Sequence, residues 1–450
     1  MKKGLILEQK IVMMKMEEDY KELSASLENN ENEFVKAELI PPRGEWWTHP
    51  DHWEFRIDEE SMLPNWFLGN MKDYEQKFRE KVRTWWNEHC VVNNHQFQCY
   101  DHGYYLLKDC KNVKLSGDVI VKCNSCKIVE VSNYASIKEL VSSSVEDVFG
   151  NAEIWDMFHS IVLRMRDESE IENCTDSLIE EMKNEAHVLE LQNSHIYEMY
   201  DTSKVYKMKG SSTIRMITQR ASVETVMDAS IINDMYGHAH IGTASGNAVI
   251  HRMYRHSYVK CIRSAVRISE MTDQARINEM EHTASVKIMQ DQACIEFMKN
   301  SAFVEKVHGN AKILNLEDDS NILEMSDSAR VEEMKGRSSI TYLIEHSHVE
   351  SMKNESEIYT VADTASVKNM YHDAKIRSLR NSAFVDHMCD HSIIKEASGT
   401  SCIKKMQDCS MIRQLFEDAS VKEVSDDALV IMEGKILAAK YMELEIFEKM

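Results

Sequence analysis

The chain has 450 residues and a formal net charge of -22, with 53 Lys and Arg against 75 Asp and Glu. That balance argues against a nucleic-acid backbone or an anionic membrane as partner, because both carry the same sign, and leaves basic proteins open. Only 4 Pro and 14 Gly argue against a linker-rich, collagen-like or low-complexity chain, and 11 Cys without framework spacing suit a reducing cytoplasm better than a disulfide-stapled secreted domain.

Met1-Lys2-Lys3 and the apolar run Gly4 to Leu7 have the start of a signal peptide, but Glu8 and Lys10 interrupt it. No stretch is long and apolar enough to span a bilayer. Val12, Met16, Tyr20, Leu23 and Leu27 have helical spacing, which predicts a helical N-terminal segment over 1–40. Pro41 and Pro42 open a Trp-rich capping domain, 41–116, holding six of the 7 tryptophans: Trp46, Trp47, Trp53, Trp66, Trp85 and Trp86. Trp46, Trp47 and Trp53 are candidate contacts for a partner. The competing expectation, a small core docked on whatever follows, is favoured because Trp burial dominates small cores. Within this domain Met71, Tyr74, Phe78, Val82, Trp85 and Trp86 predict a helix.

From Asp118 a repeat governs the chain. Val259, Ile268, Ile277, Val286, Ile295 and Val304 begin a series of β-branched residues, nine apart, that runs without a slip to Val430. Two residues before each stands a small side chain such as Ala275, Ala284 or Ser320, and three after stands a larger one such as Met271, Met280 or Leu316. Small and β-branched residues two apart share one face of a strand, and the Met or Leu fills the end of a narrow core. The eighth slot supplies a turn, with Asp273, Asp291, Asn300, Gly309, Asp318 and their equivalents.

Earlier, Ile120, Ile128, Ile137, Val145, Ile154, Val162, Ile171, Ile179, Val188 and Ile196 alternate steps of about eight and nine. A shortening at every second unit means two units per coil. The fold expected is therefore a mainly β, two-sided parallel β-solenoid over 117–433, with coils of about 18 residues. About 18 coils at roughly 4.8 Å make a rod on the order of 85 Å long. A C-terminal cap follows over 434–450, where Ile436, Leu437, Tyr441, Leu444 and Phe447 predict an amphipathic helix.

The nonapeptide period and two-strand coil resemble the calcium β-roll of RTX proteins, but the Gly-Gly-x-Gly-x-Asp turn is absent, so the resemblance implies the shape without the metal. Ala293 to Met298 and Ala365 to Met370 also resemble the Ser-Ala-Thr-Val-x-x-Met arrays of uncharacterised solenoid proteins from gut bacteria and their phages.

Cys90, Cys99, Cys110, Cys123 and Cys126, near His89, His95 and His102, have the composition of a zinc site. The repeat register assigns Cys123 to a Met slot and Cys126 to a small slot, both pointing inward, so no cofactor is expected. Residues one coil apart stack, which makes columns of His372, Asp390 and Asp408 and of Asp373, His391 and Cys409. His372, Asp373, Asp390, His391 and Asp408 are the candidate binding residues of the rod, weighed against Asp as a plain turn former. A basic ladder of Lys375, Arg377, Lys395 and Arg413 runs beside Ile393, Met411 and Leu429, with cover by the terminal helix expected.

No phosphate-cradling glycine loop, nucleophile elbow or metalloprotease helix is present. The expectation is a cytoplasmic, non-enzymatic protein-interaction scaffold without cofactor, binding a protein and neither nucleic acid nor membrane. A homodimer through the head or the C-terminal end is compatible with this. The alternative is an acidic phage or mobile-element inhibitor that sequesters a host defence or nucleic-acid-binding protein as a partial DNA mimic. One net charge per coil of about 4.8 Å falls short of one per 1.7 Å in B-DNA.

Overall fold

The computed structural model describes residues 3–8, 12–16, 34–57, 65–432 and 435–438. They fall into two units, Met1–Ile161 and Val162–Met450.

The first unit begins with an antiparallel sheet of β1 (Lys3–Glu8), β2 (Val12–Met16), β3 (Phe34–Ile40) and β4 (Glu54–Ile57), in the order β2-β1-β3-β4. A helical turn α1 (Asn65–Leu68) and the helix α2 (Met71–His89) follow. α2 buries Phe78 and Val82 against Ala37, Leu39, Trp46, Trp53, Phe67 and Leu106, with Tyr74, Trp85 and Trp86 packed around them. Because Leu106 belongs to the coil strand Tyr104–Lys108, this aromatic core is shared with the first coils of the same unit. Parallel pairing starts there, Cys90–Val92 against Leu106–Lys108, ahead of Asp118 where the period first becomes legible. The first repeat is displaced by one residue. Val121, not Ile120, pairs with Ile137 and is buried, while Ile120 is exposed.

The expected helical ends are overturned. Val12–Met16 is a strand paired antiparallel with Lys3–Leu7, and the rest of the expected N-terminal helix, through Leu27, lies outside the described residues. At the other end Lys435–Ala438 is a strand antiparallel to Leu429–Met432, and the remainder of the expected C-terminal helix lies outside the described residues. Both errors share a cause. Short apolar runs satisfy helical and strand spacing alike, and a neighbouring strand edge with unpaired backbone groups decides between them. Among the described residues the long helix lies internally, at Met71–His89.

The second unit is a parallel β-solenoid of two sheets. Among the described residues sheet I has fifteen strands, from Glu170–Thr175 to Ser420–Val424, and sheet II has sixteen parallel strands, from Ile161–Met165 to Leu429–Met432, closed by the antiparallel Lys435–Ala438. At roughly 4.8 Å per coil this unit spans about 67 Å. Val188 pairs with Ile171 and Val205 with Val188, 17 residues apart, whereas Val223 pairs with Val205 and Ile241 with Val223, 18 apart.

Each late strand is five residues long and turns its second and fifth side chains inward, as in Ser285–Met289, where Val286 and Met289 are buried together with Ala284 of the preceding corner. Strict alternation would turn the fourth residue inward. Pairing instead skips the third, Ile268 with Val286 and then Glu270 with Ile288, so both middle residues face outward. Every coil thus repeats one narrow core, each buried Ile, Val or Met contributing about 1.5–3 kcal/mol gross, and stacked neighbours turn that into net stability.

Candidate binding surface

Two edges carry the corners of the second unit. Edge A joins sheet II to sheet I, and edge B joins sheet I to sheet II. In an 18-residue coil every corner has a left-handed residue, and most corners close with a backbone bond. At Asp291 (φ 58°) the Ala293 amide donates to the Gln290 carbonyl at 3.1 Å. The amide of the left-handed residue points along the stack and finds an acceptor in the following coil. His372 N–H donates to Asp390 Oδ2 at 2.9 Å, Asp390 N–H to Asp408 Oδ2 at 3.2 Å, and Asp408 N–H to Asp426 Oδ2 at 3.4 Å. Edge A does the same from Arg255 to Asp273 at 3.0 Å and from Asp273 to Asp291 at 3.3 Å.

This places the residues expected to form a site. His372, Asp390 and Asp408 stack on edge B in left-handed backbone (φ 54–58°), and their side chains accept from the backbone of the coil before; His372 Nδ1 takes the Asn354 amide at 3.4 Å. Asp373, His391 and Cys409 form the exposed column beside them. The sequence therefore finds the columns correctly, and the structure assigns the Asp column a backbone-supporting task. Trp46 and Trp53 are buried; Trp53 Nε1–H donates to the Thr48 carbonyl at 2.9 Å, and Trp86 Nε1–H to that of Trp46 at 3.0 Å. Trp47 is half-buried under the Lys108 ammonium, 4.8 Å from its ring centroid.

The cysteines are all free thiols, with Cys110, Cys123 and Cys126 buried. Cys126 Sγ–H donates to the Leu107 carbonyl at 3.3 Å, and burial, with Cys110 adding, pushes the Cys90 thiol up to about 12. Such thiols resist the deprotonation that metal ligation needs. Among the described residues no group of three or more His, Cys, Asp or Glu could hold a metal ion. No helix among the described residues is long and apolar enough to cross a membrane.

A different surface emerges on edge A. Tyr236 stacks on Tyr254 (centroids 4.8 Å, planes 7°), His238 on His256 (5.0 Å, 7°) and His240 on Tyr258 (5.1 Å, 17°). His238 and His256 are exposed and Tyr236, Tyr254, His240 and Tyr258 half-buried, so the stacks are open to a partner. The stacks follow from register. Tyr-Gly-His-Ala-His at 236–240 recurs as Tyr-Arg-His-Ser-Tyr at 254–258, one coil later. That recurrence was legible in the sequence, but a search for Asp and Cys columns passes over it.

Around these rings the charge reverses. Residues 204–267 carry ten Lys and Arg against Glu224, Asp228 and Asp234, whereas 162–203 carry three against eleven acids and 268–432 carry eighteen against twenty-nine. Arg252 is held bidentate by Asp234 at 2.6 and 3.0 Å, and Lys204 pairs with Glu224 at 2.8 Å. Arg220, Arg255 and Lys260 are exposed and form no ion pair among the described residues. Burial holds the His240 imidazole below its ordinary range, opposed by Glu224 and reinforced by Lys204 and Lys260.

The chain matches no protein-family model, no curated protein and no solved structure, so its assignment as a parallel β-solenoid rests on its own coil geometry.

Proposed function

We propose that this protein is a non-enzymatic protein-interaction scaffold, with edge A around Tyr236–Tyr258 as its principal contact surface. The paired Tyr and His stacks carry this reading. Coil packing pre-orders their rings, so a partner loses little side-chain freedom on docking, and Tyr and Arg are the residue types that dominate binding energy at protein interfaces. The likeness to RTX-type nonapeptide arrays is one of coil shape. Immobilised protein, Tyr236→Ala/Tyr254→Ala protein and His372→Ala/His391→Ala protein, each presented to extract of the native host, test the reading. The first change is expected to remove a specific partner that the second retains. Equal capture by all three, or turnover of a candidate substrate by the purified chain, would overturn it.

A second reading is carried by the charge outside that band, twenty-nine acids against eighteen bases over 268–432. In it the rod is an inhibitor from a phage or mobile element that sequesters a basic host defence or nucleic-acid-binding protein. It predicts salt-sensitive capture of a basic protein that survives the Tyr236→Ala/Tyr254→Ala change. Capture insensitive to salt counts against it.

A further inference from the structure

Edge A of the second unit changes sign part-way along. In successive coils the residues that follow the left-handed position are Glu168, Glu185 and Thr202, then Arg220, His238 and His256. The left-handed positions themselves place Asp167 and Asp201 in the first half and Arg255 in the second. The residues just before them are Arg166, Lys183 and Tyr200, then Thr218, Tyr236 and Tyr254. One continuous edge thus has an acidic half and a basic, aromatic half, three coils each.

We infer that the partner of this edge is a second copy of the chain, docked antiparallel and edge to edge about a two-fold axis between the Asp201 and Gln219 corners. This rests on edge A being the binding surface. A two-fold contact sets one patch on itself with the order of its coils reversed, which is the operation that lays an acidic half over a basic half. His238 then faces Glu185 of the second copy, and Arg255 and His256 face its Asp167 and Glu168. The same rotation keeps each column opposite itself, so Tyr236 meets Lys183 and Tyr254 meets Arg166, pairings that suit cation–π contact. No foreign ligand need match the spacing. Both copies repeat at about 4.8 Å, so the register holds from rung to rung.

Each copy carries -22 overall, but the screening length near 0.15 M salt is about 8 Å, less than two coils, so the charges facing each other across the edge outweigh the remote ones. Six corners make a small interface, which places the dimer in the weak, salt-sensitive class.

Charge exchange tests the arrangement by sedimentation of the purified full chain over a concentration series, with circular dichroism as the control for folding. The native chain is expected to show a concentration-dependent dimer. His238→Glu/Arg255→Glu/His256→Glu, and separately Asp167→Lys/Glu168→Lys/Glu185→Lys, are each expected to weaken it by about tenfold or more. A chain carrying all six changes is expected to dimerise again with itself but not with the native chain, because antiparallel docking of the two then opposes like charges. A native chain that stays monomeric throughout, a dimer indifferent to either reversal, or free mixing of the six-fold variant with the native chain would overturn the inference. Loss of partner capture in Tyr236→Ala/Tyr254→Ala protein, if the native chain proves monomeric, would leave the scaffold reading standing without self-pairing.

Discussion

The short corner of each 17-residue coil and the long corners found elsewhere in the solenoid meet the same backbone need with different atoms. In a long corner the amide of the small inward residue finds a carbonyl three residues back, as Ala239 finds Tyr236 at 3.2 Å. A corner one residue shorter has no such carbonyl in reach. There the amide turns along the stack to a buried serine: Ser177 N–H to Ser194 Oγ at 3.0 Å, and Ser194 N–H to Ser212 Oγ at 3.3 Å. Each hydroxyl donates onward to the end of its own strand, Ser177 to Thr175 O at 2.7 Å and Ser194 to Gln192 O at 2.8 Å. The first unit repeats the device from Cys126 to Ser143 at 2.9 Å and from Ser143 to Ser160 at 3.0 Å. It stops where Gly210-Ser211-Ser212 supplies the extra residue. Beyond that point serines persist in the small slot, yet the hydroxyls of Ser257, Ser338, Ser356, Ser392, Ser401 and Ser410 are buried without a partner. Small-slot serines are therefore structural in the short corners, whereas in the long corners on both sides of Gly210 they vary: Ser169 and Ser203 have no partner, while Ser320 and Ser347 donate to the Glu317 and Ile344 carbonyls at 2.6 Å.

The largest test asks whether the two regions share a core. Leu191→Ala, among the short coils, and Leu343→Ala, among the long ones, each remove a fully buried side chain. Both are expected to destabilise by about 2–5 kcal/mol in denaturant unfolding, and a clear inequality would show that the cores differ as well as the corners. Next comes the corner itself. Ser194→Ala orphans the buried Ser177 amide and is expected to lose about 1–3 kcal/mol, with hydrogen exchange accelerated first at Ser177. Ser392→Ala or Ser410→Ala should do the reverse, leaving stability unchanged or raising it by up to about 1 kcal/mol, because a buried unsatisfied hydroxyl is removed. A loss in either would mean that the late serines have partners after all.

The smallest effect concerns acid. Hydrogen bonding from Lys209 holds the Glu190 carboxyl below its usual range, and Arg377 does the same for Glu357. A depressed carboxyl stabilises the fold above its unfolded pKa, roughly 4.3. That contribution is lost as pH falls through the lower folded value. Glu190→Gln, in the short-coil region, and Glu357→Gln, in the long-coil region, should each lower neutral stability slightly and flatten the acid limb of stability against pH by the same amount. Unequal flattening would show that one region is the more acid-labile.

How much of this the sequence discloses follows from periodicity. Ile268, Ile277 and Val286 recur because every coil buries the same slot, so coil length, sheet number and inward residues could be counted off the chain. The alternation of eight and nine located the short corner, yet Ser143, Ser160, Ser177 and Ser194 looked like mere small residues, since a hydroxyl's partner lies one coil away in space. Tyr236 and Tyr254 were within reach of the same count. The ends were illegible for a different reason. Val12–Met16 and Lys435–Ala438 belong to no repeat, and their form is set by the strand each one pairs with.

The direction of the corner bonds has a consequence for how the chain is made. The left-handed amides of His372, Asp390 and Arg255 all donate to a side chain about eighteen residues later. A coil leaving the ribosome therefore cannot finish its corners until its successor has emerged, whereas its predecessor is already complete. Growth at the nascent end is always one turn unsatisfied. Shortening the array from its C-terminal side should accordingly strand the left-handed donors, as Arg255 N–H loses Asp273 Oδ2, while shortening from the N-terminal side strands the amide that follows, as Gln274 N–H loses the Arg255 carbonyl.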